Sequence, residues 1–366
     1  MINETEIESI LELIDICFNE TKHLQYLSDY KTLLLNYLEE LLIYEEDDIS
    51  DIIELQLDYY FYVNDIPEYS LYNYEIYDKD YNIYNNDDKI TNTINELIKI
   101  PIIKQRTNEW LEIRYNMLSA SNIYRAFKSP ITIKSLIRDK SIPLSESNNY
   151  NAKINLHNSL GWGILFEKVS VNIYEYIYKT KIGLFGCIKH KNFDFIGASP
   201  DGINISKGDR FGRMLEIKNI YNRDITGIPS DEYWTQMQIQ MEVCNLPLCD
   251  FLETRFCLYE SVDKFIQDNN NDFRGVFIEK EGKYNYYYLW DHNGNIEEFL
   301  LLINNKEGNI YWWYLDEFSC VLVKRNKLWF DSIYPFLNDT WNKILEERKN
   351  ININQYKKNI CLIKLE

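Results

Sequence analysis

Between Phe185 and Tyr259 the apolar spacing switches from two to 3.6 and back, which restricts the fold more than any other feature of the chain. Phe185–His190 and Phe193–Ala198 read as strands joined by a short basic turn, and Met214–Ile220 as a third. Residues 204–213, with Gly208, Asp209 and Gly212, connect them. Ser230–Val243 then reads as a helix. Ser230 is placed to cap its N-terminus, and Asp231 and Glu232 suit the positive end of the helix dipole. Pro247 stops it, and Phe251–Tyr259 resumes as a strand. Strands, a helix and a returning strand predict a mixed sheet covered by helices.

The flanking segments extend this plan. Helices are predicted at Asn108–Asn116, Ser121–Phe127, Leu160–Tyr178 and Ser332–Lys349. A hairpin is predicted from Gly275–Lys280 and Asn285–Trp290, and further strands at Ile310–Leu315 and Cys320–Lys324. The front piece reads as mainly helical. Ile7, Ile10, Leu11, Ile14 and Phe18 share one helical stripe, as do Leu34, Leu38, Leu41 and Leu42. Ile53–Val63 and Asp87–Leu97 are further helices, Glu45–Asp48 marks a turn, and Ser147–Asn151 a loop. Three parts are expected: an acidic helical lobe over 1–100, an α/β domain over 101–350 and a C-terminal extension over 351–366.

Charge distribution matters here because the formal total of −18 argues against a polyanionic partner. Residues 1–100 hold 24 acidic and 5 basic side chains, a net of −19; the remaining residues sum to +1. Repulsion therefore sits in the front piece, and the rest can carry a local basic groove. That front piece reads as a solvated helical cap; a face that repels DNA or binds a basic partner is the sharper alternative. No apolar run approaches the ~20 residues of a membrane span, and Met1–Ile10 lacks the features of a signal peptide. Seven cysteines in no close pairs fit a reduced intracellular chain better than a zinc or iron–sulfur site. The expected location is inside the cell.

The chemistry concentrates in Ser199-Pro200-Asp201-Gly202 and Leu215-Glu216-Ile217-Lys218. On a strand Glu216 and Lys218 share one face, and Leu215 and Ile217 the other. A hairpin bringing residues 195–201 against 214–218 would set Asp201 beside Glu216. Two carboxylates that close repel unless a cation lies between them. Magnesium accepts hard oxygens and keeps several waters. Asp201, Glu216 and the Ile217 carbonyl could supply such oxygens, with Glu167 on the preceding helix direct or through water. Lys218 could orient a water or stabilise phosphate charge, and Gln236 could hold Lys218, water or phosphate. Taken singly the features are bland: Pro-Asp-Gly is usually a turn, an acid two residues before a lysine is a common exposed pair, and a helix glutamine is commonly solvated. Their order is what points to a phosphodiesterase.

In that order the chain resembles the phage lambda exonuclease family, the YqaJ-type viral recombinase nucleases of the restriction-endonuclease-like superfamily. The resemblance spans roughly residues 104–345 and rests on Glu167, Asp201, Glu216, Lys218 and Gln236, with Glu109-Trp110-Leu111-Glu112-Ile113-Arg114 and Leu118-Ser119-Ala120-Ser121 upstream. It implies a restriction-endonuclease-like mixed sheet flanked by helices, and magnesium, one or two ions, with manganese as a substitute. It implies digestion of one strand of linear duplex DNA from a 5′-phosphorylated end, yielding single strands for recombination or repair. Arg114 and Ser121 would bind the end phosphate; without the family, Arg114 reads as a surface salt bridge. Trp110 reads as core packing. Lys128, Lys134, Arg138 and Lys140 form the most basic stretch and are candidate DNA backbone contacts. Lys189, His190 and Lys191 are either further contacts or a solvated hairpin tip. A single-strand annealing protein and a homotrimer are partners implied by the family alone, as is an origin in a large DNA virus. Two alternatives stay open: an endonuclease or nickase on the same core, and an inactive DNA-binding scaffold.

Overall fold

The computed structural model describes residues 4–21, 34–35, 38, 49–63, 87–143 except 106, and 158–350 except 226. Glu45–Asp48, Ser147–Asn151, most of the second leucine stripe and the C-terminal extension lie outside the described residues.

The core is an α/β fold with a mixed seven-stranded sheet. Strands β2 (Ile182–Gly183), β5 (Gly202–Asn204), β6 (Met214–Ile220), β7 (Leu248–Leu258), β8 (Arg274–Lys280), β9 (Lys283–Tyr288) and β10 (Asn309–Lys324) take the order β2-β5-β6-β7-β10-β8-β9. Among the described strands of this sheet only β6 and β7 run parallel, and the helix between them makes the crossover that parallel strands need. That helix is Asp231–Cys244. Ser230 caps it by accepting from the Tyr233 amide, as its sequence predicts.

Phe185–His190 and Phe193–Ala198 shrink to β3 (Ile188–Lys189) and β4 (Ile196–Ala198) and leave the main sheet. They join β1 (Leu118–Ser119) in a separate three-stranded sheet of order β1-β4-β3. The hairpin beside Glu216 therefore starts later than expected: Gly202 pairs with Leu215 and Ile203 with Met214. Ile310–Leu315 and Cys320–Lys324 fuse into the single strand β10. The polar residues between them are absorbed by an irregularity between Leu315 and Glu317, where Arg255 pairs with both Asp316 and Glu317.

In chain order the helices are α1 (Glu4–Thr21), α2 (Ile49–Val63), α3 (Asp87–Ile98), α4 (Asn108–Tyr115), α5 (Ala120–Ile123), α6 (Pro130–Ser141), α7 (Ser159–Tyr178), α8 (the crossover), α9 (Val262–Gln267), α10 (Ile296–Asn304) and α11 (Lys327–Asn350). Helix α7 covers one face of β6–β8, where Phe166 stacks on Phe256 at 4.3 Å and meets Trp313 edge-on. Helices α8 and α11 close a core on the other side around Trp234, Trp329 and Phe251.

Helix α3 belongs to this second core through Ile90, Ile94 and Leu97, whereas α1 and α2 bury Ile14, Cys17, Ile53 and Leu57 in a cluster of their own. The described residues of the expected 1–100 lobe thus pack into two different clusters. Gly212, at φ +79°, permits the close approach of Ile90 that ties α3 down, because a Cβ there would meet Ile90 Cγ2 at 2.3 Å. Among the described residues no helix is long and apolar enough to cross a membrane.

Candidate active site

The alternation of β6 decides which groups meet. Met214, Glu216 and Lys218 face α8, and Leu215 and Ile217 pack towards α7 with Tyr174 and Leu252. Glu216 is 1 % exposed, and both of its oxygens are held. Gln236 donates to Oε1 at 2.7 Å and Gln240 to Oε2 at 2.7 Å, while the Lys218 ammonium also reaches Oε1. Lys218 lies 3.4 Å from Gln236 Oε1 and 4.6 Å from the centre of the Tyr233 ring. Gln236 and Gln240 stand one helical turn apart, so one face of α8 clamps one carboxylate.

Asp201 ends the segment leaving β4 and immediately precedes β5. Its Oδ2 accepts the Ile217 amide at 2.7 Å, which pins it to the strand that carries Glu216. Burial pushes its carboxyl well above the usual range, and the charges of Glu216 and Glu167 push it further; Lys218 and the Ile217 amide oppose them. Burial by itself would lower the Lys218 ammonium, but Glu216 and Asp201 outweigh it and hold the group above its ordinary value. Lys218 is therefore a fixed cation in this arrangement.

Glu167 projects from an exposed turn of α7, close enough for its charge to act on Asp201. The placing of α7 depends on Asn219, the residue after Lys218. Its Oδ1 accepts from Ser170 at 2.6 Å and Thr254 at 2.8 Å, and its Nδ2 donates to the Gly163 carbonyl at 2.9 Å. Four segments thus converge: the start of β5, β6, α7 and α8.

The residues fit a divalent cation of the hard type. Asp201 is a half-buried carboxylate whose charged form is disfavoured by desolvation and by its acidic neighbours, which a cation between them would reverse. Among the described residues no three or more His, Cys, Asp and Glu side chains gather into a metal cage. The protein can therefore offer two carboxylates and leave other positions to water or substrate oxygens, the usual manner of magnesium.

A second cluster lies upstream. Arg114, in the last turn of α4, donates to Ser119 Oγ at 3.0 Å and Ser121 Oγ at 3.1 Å, and its guanidinium stands 4.8 Å from the Trp110 ring centre. Trp110 is half-buried against this guanidinium and not a core residue, because α4 buries none of its side chains. The two clusters are linked. Strand β1 pairs in parallel with β4, Ser119 opposite Gly197, and β4 runs into Asp201 four residues later. Gly197 is required there, since a Cβ would meet Met117 Sδ at 2.3 Å.

The expected DNA contacts divide. Lys128, Lys134, Arg138, Lys189 and Lys191 are exposed. Lys140 is corrected: it is buried and donates to the Arg114 carbonyl at 2.5 Å. His190 is corrected too. It is buried between Phe193 and Phe330, its Nδ1 accepts the Asn192 and Phe193 amides, and its Nε2 is 3.5 Å from Glu242. The contacts of Gln240 and Asn219 escaped the sequence reading. The signals were present: a second glutamine at i+4 from Gln236, and an asparagine on the face of β6 that otherwise reads apolar.

Residues 109–247, which hold both clusters, match the description of the YqaJ-like viral recombinase domain. This stretch is similar to that domain. An uncharacterized protein of Acanthamoeba polyphaga mimivirus is 27 % identical over 308 residues, 69 % of this chain and 54 % of that protein. The chain thus spans about half the length of that curated relative. Among solved structures, the chain is similar to an alkaline exonuclease from Laribacter hongkongensis at 17 % identity, covering 70 % of this chain and 100 % of that one with a TM-score of 0.41. It is also similar to a phage related exonuclease from Haemophilus somnus at 11 % identity, covering 64 % and 96 % with a TM-score of 0.40. The chain places its acids just before one strand and in the middle of the next, on a mixed sheet flanked by helices.

Proposed function

We propose that this chain is a magnesium-dependent deoxyribonuclease that digests one strand of linear duplex DNA from a 5′-phosphorylated end. The reading rests on one observation above all: Asp201 accepts the Ile217 amide of the strand that carries Glu216, with the cationic Lys218 in contact with Glu216. The similarity of residues 109–247 to the YqaJ-like viral recombinase domain supports the recombination setting.

Asp201 and Glu216 would hold the cation, with the Ile217 carbonyl and Glu167 as further oxygens. When bound, the cation supplies Lewis-acid chemistry, drawing charge from phosphate and acidifying water. Manganese would substitute, and one or two ions would be used. The chain's own groups do the remaining work. Gln236 and Gln240 fix the Glu216 carboxylate, so its oxygens need not reorganise during reaction. Lys218 stays protonated beside it and stabilises negative charge on the phosphate. Arg114 offers a planar fork of donors, and Ser121 an exposed hydroxyl at the start of α5, to a terminal phosphate. Lys128, Lys134, Arg138, Lys189 and Lys191 would touch the backbone without reading sequence. A single-strand annealing partner and a trimer belong to the same reading.

Products from duplexes labelled at the 5′ or the 3′ end, with a covalently closed circle alongside, test it. Release of 5′ label first, with the circle intact, is the expected result. Cutting of the circle would assign the site to an endonuclease or nickase instead.

A further inference from the structure

Arg114 has an unusual setting for a surface arginine. It is half-buried, and its guanidinium meets two hydroxyls and an indole ring. The backbone beneath it is gripped by two more cations. Lys140, at the end of α6, donates to the Arg114 carbonyl. Arg348, near the end of α11 and 233 residues beyond Tyr115, donates through Nη2 to the Tyr115 carbonyl at 2.6 Å and through Nε and Nη2 to the Lys140 carbonyl at 3.0 and 2.8 Å. Its Nη1 lies 3.4 Å from Asn116 Oδ1, and its plane lies over the Tyr115 ring at 3.8 Å. The ends of α4 and α6 leave carbonyls without partners in their own helices. One guanidinium fork satisfies both ends and locks them together.

We propose that Arg348, with Lys140, is a positioning residue for the end-phosphate anchor. Its fork fixes the last turn of α4 so that the Arg114 side chain is aimed before DNA arrives. Preorganised donors favour a bound anion because little ordering remains to be done on binding. The last long helix therefore governs end selection without touching substrate. This inference rests on the reading of Arg114 and Ser121 as the phosphate anchor.

The test is the ratio of kcat/KM on 5′-phosphorylated to 5′-hydroxyl linear duplex, measured with magnesium on the full chain. Arg114→Ala should bring the ratio close to one. Arg348→Met should lower it about tenfold, through KM on phosphorylated ends, with 5′-hydroxyl ends cut within about twofold of the normal rate. Arg348→Lys keeps the charge but loses the fork, so it should remain impaired; it also serves if Arg348→Met fails to fold. A wild-type ratio near one, or an unchanged ratio in Arg114→Ala, would overturn the anchor itself. A ratio lost in Arg114→Ala but kept in both Arg348 variants would overturn the positioning role alone. Equal loss on both ends in a folded Arg348 variant, or full rescue by lysine, would do the same.

Discussion

Glu216 is a buried carboxylate with both oxygens held: each oxygen has a donor, and a lysine stands against one of them. Removing one donor leaves part of a buried charge unsatisfied, which costs about 1–3 kcal/mol or more. Gln240→Leu should therefore lower the Tm by several degrees and slow cleavage about 10- to 100-fold, as thermal unfolding and an end-labelled duplex assay would show. Unchanged stability would mean that the Glu216 clamp does not operate in solution. Lys218→Met keeps most of the stem and removes the cation, so cleavage should fall at least about 100-fold with the fold retained. Much of this was legible in the sequence. Period two alone puts Glu216 and Lys218 on one face, and Pro-Asp-Gly before a strand places Asp201 at its entrance. Gln240 was harder to assign because a polar i, i+4 pair on a helix usually faces water. Here the sheet covers it, and only tertiary packing reveals that.

Elements carry these groups only as well as they are anchored to one another. Gly202, directly after Asp201, does not need a positive φ; its lack of a side chain lets Ile182 come close, since a Cβ would meet Ile182 Cγ2 at 2.1 Å. Gly202→Ala should cost about 1–3 kcal/mol by overpacking and impair cleavage by shifting Asp201, measurable by denaturant unfolding alongside the nuclease assay. Lys140, between α4 and α6, makes a prediction about pH. Burial first, and then the nearby Arg114 and Arg348, lower its ammonium from 10.5 to about 7. Between those values the unfolded chain holds a proton that the folded chain has lost, so stability rises with pH across that window, by at most about 1.4 kcal/mol per unit. Below about pH 7 the folded state bears the full cost of the buried charge. The Tm difference, wild type minus Lys140→Met, should grow as pH rises from 7 to 9; a flat difference would remove Lys140 from this role. The sequence showed Lys140 only as one of four cations in a basic stretch, because the carbonyl it meets comes from another helix.

At the scale of the molecule, the crossover from β6 through α8 to β7 was legible because its apolar period changes twice and its cap residues agree with it. The three-stranded sheet was not. Two-residue strands carry too little pattern to choose a sheet, and the partner β1 lies about 70 residues upstream of β3. The front piece was read as one lobe because acidity runs across all of it, yet α3 packs with the α/β core, whereas α1 and α2 bury their apolar residues in a cluster of their own. Charge follows solvent, whereas domain membership follows apolar contacts, and the two divide the chain at different places. Parallel pairing of β1 with β4 sets the Arg114 cluster and the Asp201 entrance on neighbouring, hydrogen-bonded strands. The whole account turns on the acids at that entrance. The most direct test is magnesium-dependent cleavage of a linear duplex by wild type, Asp201→Asn and Glu216→Gln, each first verified as folded by circular dichroism. Cleavage by wild type and a loss of at least about 1000-fold in both variants is predicted; normal rates in either folded variant would contradict it.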